Sequence, residues 1–236
     1  MAALACTGAL EYGSISSNLH AVRICSVLLI TVLLAGCSPR NPLHIAHGDD
    51  DDDSAPADPT CAAAENSWPA VLPQYSTYEG NGVSQGEFLP NFQLKDQHGQ
   101  DTCLNQFLGS VLIVDASTRW CGPCNEAAAE SAVLWEEMKH IGPSWIMTLM
   151  VQDHSGLPAT SRDVEEWAEM YDIEYPVLLD DDEQTRAIWE VNSFPLFLFI
   201  APTGEIIQRI EQRPAESEIL AFVQQAVEEW SSELRP

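Results

Sequence analysis

The sequence predicts an α/β layer architecture for its C-terminal part, and three observations carry that expectation. Short continuous apolar runs alternate with amphipathic stretches, Gly and Pro punctuate the junctions between them, and no internal repeat is evident. "NFQL" and "DTCLNQF" flank the glycine-containing turn "KDQHGQ" and read as a short hairpin. "VLIV" (111–114) is a strand buried on both faces, running straight toward a cysteine pair in "TRWCGPCNE". Next, "NEAAAESAVLWEEMKHI" sets Ala128, Ala132, Trp135 and Met138 along one helical face and is stopped by Gly142 and Pro143. "WIMTLMV" (145–151) is a second buried strand, "SRDVEEWAEMYD" (161–172) a helix, "PVLL" (176–179) a short strand and "EQTRAIWEV" (183–191) a further helix. "PLFLFI" (195–200), the turn "PTG" and "EIIQRI" (205–210) form a hairpin, and residues 216–231 close the chain as a helix.

Length and charge narrow the functional classes. A chain of 236 residues accommodates one well-packed domain and an elaborate N-terminal region. Its 36 acidic against 10 basic side chains give a formal charge of −26, a field that repels nucleic acid and anionic lipid and favours cationic partners. Nucleic-acid binding is set aside on that ground.

The N-terminal region reads as targeting rather than fold. "ICSVLLITVLLA" (24–35) is a mostly apolar run of 12 residues, shorter than the ~20 a relaxed bilayer span needs, and it leads into "LAGC". Residues 1–36 resemble a bacterial lipoprotein signal peptide, with Cys37 the residue that such a signal would have lipidated. Met1 to Ala21 contains Glu11 and no Lys or Arg, whereas a signal opens on positive charge, so translation is expected to start nearer Val22, beside Arg23. Residues 37–60, with five consecutive aspartates, are expected to be a flexible acidic tether, because so polar a stretch cannot bury enough surface to offset the entropy of ordering. Residues 61–87, with Trp68, Tyr75 and Tyr78 among Gly and Pro, suggest a strap laid on the domain of residues 88–236.

The chemistry is concentrated in Cys121 and Cys124. A structural zinc site needs four ligands, and no second short-spaced Cys or His pair accompanies this one, so no metal is expected. A structural disulfide closing so small a loop would constrain the unfolded chain little. Redox exchange accounts for more of the residues. Cys121 would sit at the mouth of a helix, where free N–H groups and the dipole stabilise a thiolate. Pro123 suits the first helical turn, and Cys124, one turn deeper and less exposed, would resolve the mixed disulfide.

"WCGPC", preceded by "VLIVDASTR" and followed by a helix, resembles thioredoxin from Trp120 to Cys124, residue for residue. The resemblance covers Phe88 to Pro236. It implies a thioredoxin fold, a central mixed β-sheet flanked by helices, and a thiol-disulfide oxidoreductase needing no cofactor. Asp115 falls where thioredoxins carry a buried acid that moves the second thiol's proton, and Pro195 falls on the family's cis-proline, which faces the disulfide and holds substrate backbone. The chain looks closest to the TlpA-like, AhpC-TSA-related membrane-anchored thioredoxins. These add an N-terminal hairpin, here Asn91 to Phe107, and an insertion before the cis-proline, here about Gln152 to Ile188. Members devoted to cytochrome c maturation often carry a glutamate where Ala127 stands.

The resemblance implies protein disulfides as substrates, a membrane electron donor or a thioredoxin-type reductant as the source of electrons, and attachment to the bacterial envelope through lipid, with the domain facing the periplasm or exterior. The Gly-Pro dipeptide favours a reductase, since thioredoxin lies at about −270 mV against about −120 mV for a strong oxidant. Cys61 and Cys103 are expected to bridge, pinning the strap to the hairpin, because thiols outside the cytoplasm tend to oxidise. Two alternatives come from other classes. Thr118, three residues before Cys121, fits part of the signature of an alkyl hydroperoxide reductase-type peroxidase, although no proline precedes it as that signature requires. A binding or copper-handling module on the same fold would use a wider Cys spacing and a distant His, and His98, His140 and His154 have no evident tie to the pair.

Overall fold

The computed structural model describes residues 66–236. The expected signal peptide, Cys37, the tether and Cys61 lie outside the described residues. Seven strands form one sheet in the order β2-β1-β5-β4-β3-β6-β7. The strands are β1 (Gln93–Asp96), β2 (Asp101–Cys103), β3 (Val111–Thr118), β4 (Ser144–Gln152), β5 (Val177–Leu179), β6 (Leu196–Ile200) and β7 (Ile206–Ile210). β3, β4 and β5 run parallel, β6 pairs antiparallel with β3, and the β1/β2 hairpin joins antiparallel at β5. The sheet is mixed, as the resemblance implied.

The period of two along each strand sorts its side chains between two cores. Val111 and Ile113 of β3, Ile146 and Met150 of β4, and Phe197 and Phe199 of β6 belong to one cluster, with Cys121, Cys124, Leu134, Trp135 and Met138 of α1 (Gly122–Ile141). α4 (Glu216–Glu229) adds Ile219, Val223 and Ala226 to the same cluster. The alternate residues Leu112, Val114, Met147, Leu149, Leu196 and Leu198 join Leu104, Phe107 and Trp189 in the other. All eight residues of β3 are buried, as a strand covered on both faces requires. At the end of α1, a Cβ on Gly142 would meet Val227 Cγ2 at 2.8 Å, so glycine is what lets the helix end close against α4.

Residues 66–87 run over the second core. Trp68 Nε1 donates to Asp96 Oδ2 at 2.7 Å, its ring meets Trp145 edge-on at 6.1 Å, and Tyr78 Oη donates to the Leu89 carbonyl at 2.7 Å. Cys103 is disulfide-bonded.

Three elements differ from expectation. The second hairpin strand stops at Cys103, and a 3-10 turn (Leu104–Gln106) follows, because Gln106 Oε1 accepts the Cys103 N–H at 2.9 Å and Nε2 reaches Asn66 and the Pro69 carbonyl. The helix expected over 183–191 is only α3 (Gln184–Ile188). Glu183 and Glu190 both adopt left-handed backbone, with φ of 53° and 50°, and Arg209 donates to the carbonyls of Trp189 and Glu190. On α1, Ala132 is only half-buried while Ser131 and Leu134 face inward.

Trp68→Phe keeps the ring and removes one hydrogen bond, so it should lower stability by about 1 kcal/mol. Trp68→Ala should cost about 3 kcal/mol. Urea midpoints would check both; a Trp68→Ala midpoint equal to the parent's would mean the strap is not packed as described.

Candidate active site

Cys121 is the N-cap of α1, and its Sγ accepts the Cys124 N–H at 3.2 Å, so sulfur occupies the place where a capping oxygen would sit. The two sulfurs are bonded at 2.07 Å. Any negative charge developing on Cys121 Sγ meets free backbone N–H groups and the positive end of a 20-residue helix. The expected contrast in exposure between the two cysteines is slight, since Cys121 is 3% exposed and Cys124 1%. What stands in solvent is Trp120, 51% exposed. Its ring lies edge-on to Phe194 at 6.0 Å, and the Phe194–Pro195 bond that follows is cis, as the resemblance implied. Trp120 Nε1 donates to Gln152 Oε1 at 3.0 Å, and Gln152 Nε2 to Glu183 Oε1 at 3.2 Å, so the insertion steadies the exposed ring.

Asp115 has the parity of Val111 and Ile113, which turns its carboxyl toward the α1 side of the sheet, in the core that holds both cysteines. Ser117 Oγ donates to Asp115 Oδ2 at 2.6 Å and Thr148 Oγ1 to Oδ1 at 2.7 Å; Thr148 is the register partner of Asp115 in β4. Burial pushes the Asp115 carboxyl up to about 6, and the two hydroxyls hold it back from rising further. Tyr175, also buried, is raised by desolvation and then by the Asp115 charge. A cavity of about 30 Å³ is lined by Asp115, Ser131, Thr148 and Tyr175 and bounded by Glu130 and Arg213, which are ion-paired. That volume is room for one or two waters between a buried carboxyl and charged groups of the surface.

Sequence reasoning singled out Cys121, Cys124, Asp115, Trp120 and Pro195, and missed the groups around them. Thr148 carried a signal, being the one polar residue inside the apolar run "WIMTLMV". Arg119 and Asn125 carried none, since their partners come from the insertion. Thr118, the residue behind the peroxidase alternative, is fully buried, and its Oγ1 has no hydrogen-bond partner among the described residues. His98 stacks on Trp68, away from the pair.

The fold and this site define the chain as a thioredoxin-fold thiol-disulfide oxidoreductase. It belongs to the AhpC/TSA family, whose model matches residues 85–209. The thiol-disulfide oxidoreductase ResA of Bacillus subtilis is 26% identical over 137 residues, which cover 58% of this chain and 73% of that protein. Among solved structures, a secreted thiol-disulfide isomerase from Corynebacterium glutamicum superposes with a TM-score of 0.53 at 15% identity, covering 60% of this chain and 86% of that one. Peroxidoxin BcpB from Mycobacterium tuberculosis does so with 0.52 at 16% identity, covering 61% and 97%. Both likenesses are of fold, which therefore does not separate exchange from peroxidase chemistry.

A carboxyl raised from 3.8 to about 6 on folding favours its protonated form in the native state, so its contribution to stability is present below pH 4 and lost as pH rises through 6. Two pH units correspond to about 3 kcal/mol. Asp115→Asn should therefore gain stability over the parent by up to about 3 kcal/mol between pH 4 and pH 7.5. Denaturant unfolding at the two pH values tests this, and an unchanged difference would show that Asp115 is not held as a costly buried charge.

Proposed function

We propose that the protein reduces disulfides in other proteins outside the cytoplasm, held to the bacterial envelope by lipid on Cys37. The observation that carries the reading is the redox pair at the start of α1 on the same side of the sheet as a buried, raised carboxyl. In the reduced form the Cys121 thiolate attacks one sulfur of a substrate disulfide. That S–S bond breaks, a mixed disulfide forms, and the other substrate sulfur leaves as a thiol after taking a proton. Asp115, largely ionised at neutral pH, accepts the Cys124 proton, directly or through a bridging water. The Cys124 thiolate then attacks Cys121 Sγ, the mixed disulfide breaks, and the second substrate sulfur leaves as a thiolate that takes a proton from solvent, giving the oxidised pair. Two electrons have passed to the substrate, and Asp115 returns its proton to solvent past Glu130 and Arg213.

Trp120, whose ring meets Phe194, and the neighbouring Pro195 form the surface on which substrate backbone rests. The cycle needs a membrane electron donor or a thioredoxin-type reductant to restore the dithiol. ResA, by its name, catalyses the same class of exchange. Ala127, in place of the glutamate common in cytochrome c maturation members, speaks against an apocytochrome substrate and for a broader set of protein disulfides.

Dithiothreitol-driven reduction of insulin tests the assignment. Cys121→Ser should abolish catalysis, Cys124→Ser should accumulate a mixed disulfide with insulin, and Asp115→Asn should slow turnover by about a hundredfold at pH 7. Full activity in Cys121→Ser would reject Cys121 as the attacking thiol.

A further inference from the structure

Three residues, Arg119 to Cys121, join the end of β3 to the start of α1, and the pairing of β3 with β4 shifts register just before them. Such a segment has no ladder to hold it. Its N–H groups find partners locally, Arg119 N donating to the Gln152 carbonyl at 3.0 Å and Cys121 N to the Thr118 carbonyl at 3.3 Å. Two of its carbonyls are joined by one side chain: Asn125 Nδ2 donates to the Arg119 carbonyl at 3.2 Å and to the Cys121 carbonyl at 2.6 Å, spanning Trp120, while the Asn125 backbone N–H also donates to the Cys121 carbonyl at 3.1 Å. Asn125 is oriented in turn by the insertion, because Tyr171 Oη donates to Asn125 Oδ1 at 2.7 Å.

A second tie runs from the same loop to the same part of the insertion. The Arg119 side chain, 4% exposed, places Nη1 2.9 Å from Asp163 Oδ1 and 2.8 Å from Glu166 Oε2 on α2 (Ser161–Met170). Burying that guanidinium is tolerated because two carboxylates pair with it, and their hydrogen bonds hold it further into its charged range. The charged groups around the loop are thus Arg119, then Asp163, Glu166 and Arg162 on α2, Glu126 following Asn125 on α1 with Arg213 paired to it, and Glu183, which reaches Trp120 through Gln152. Asn125 adds no charge to this set, so its removal changes the loop's geometry and leaves the charges in place.

We infer that Asn125, buttressed by Tyr171, is a positioning residue for Cys121, and that α2 and Tyr171 of the insertion are working parts of the redox site. Asn125 fixes the two carbonyls flanking Trp120, and so keeps Cys121 Sγ on the N-terminus of α1, where the Cys124 N–H stabilises the thiolate. Without that tie the Cys121 carbonyl keeps only the Asn125 backbone N–H and the Arg119 carbonyl loses its side-chain donor, so the loop relaxes, the sulfur sits less squarely on the helix end, and the thiol loses part of its acidity. The inference rests on the reading of Cys121 as the attacking thiol.

The test is the pH profile of iodoacetamide alkylation at Cys121 in the reduced full-length chain, located by peptide mass spectrometry, with insulin reduction measured alongside. Asn125→Ala should raise the alkylation midpoint by about one pH unit and slow insulin reduction at pH 7 by about tenfold. Tyr171→Phe, which loses only a hydroxyl, should move both in the same direction by less, and it carries the test if Asn125→Ala does not fold. A folded Asn125→Ala, or failing that Tyr171→Phe, with the parent's midpoint and rate would overturn the inference. A parent chain whose Cys121 alkylates only in the ordinary thiol range, near pH 8.5, would instead overturn the reading on which it rests.

Discussion

A strand that alternates its side chains between two cores places one carboxyl, Asp115, in the same core as the disulfide-bonded pair, and the proposed chemistry depends on that placement. Cys121 follows Asp115 by six positions, enough for β3 to finish, turn and deliver a sulfur to the N-terminus of α1. The helix favours negative charge on Cys121, while burial makes the same charge on Asp115 costly. On the proposed mechanism the site holds a sulfur favoured as an anion by the helix and a carboxyl that burial favours in its protonated form. Ser117 and Thr148 temper the second effect, keeping Asp115 near the pH at which proton exchange in both directions is cheap.

Most of the fold was legible because its signals are local. The fully apolar run of β3, the stop at Gly142 and Pro143, and the hairpin around "PTG" each follow from a few adjacent residues, and each element stands close to where the sequence places it. The misplaced boundaries share a different cause. β2 ends early because the Gln106 side chain captures the backbone, and α3 is short because Arg209, from a strand twenty residues on, claims the carbonyls at its end. Neither interaction leaves a periodic trace in the sequence.

The site divides along the same line. The cysteines, Asp115, Trp120 and Pro195 are marked by a contiguous motif and its spacing to two strands. Thr148 was half-legible, as a polar residue interrupting an apolar run. Arg119 and Asn125 are surface-type residues by composition, yet their side chains point into partners more than forty residues away. The stretch from Gln152, the last residue of β4, to β6 thus contributes to the site three times: through Gln152 and Glu183 to Trp120, through Asp163 and Glu166 to Arg119, and through Tyr171 to Asn125. An addition to the basic fold has become part of its reactive end.

The reduction potential of the Cys121–Cys124 couple tests the central claim most directly, measured on the full chain equilibrated against dithiothreitol buffers and read by thiol alkylation. A dithiol that works as a reductant should lie near thioredoxin's value of about −270 mV. A value near about −120 mV, where strong oxidants lie, would mean that this arrangement stabilises the reduced pair and that the protein delivers disulfides rather than removing them.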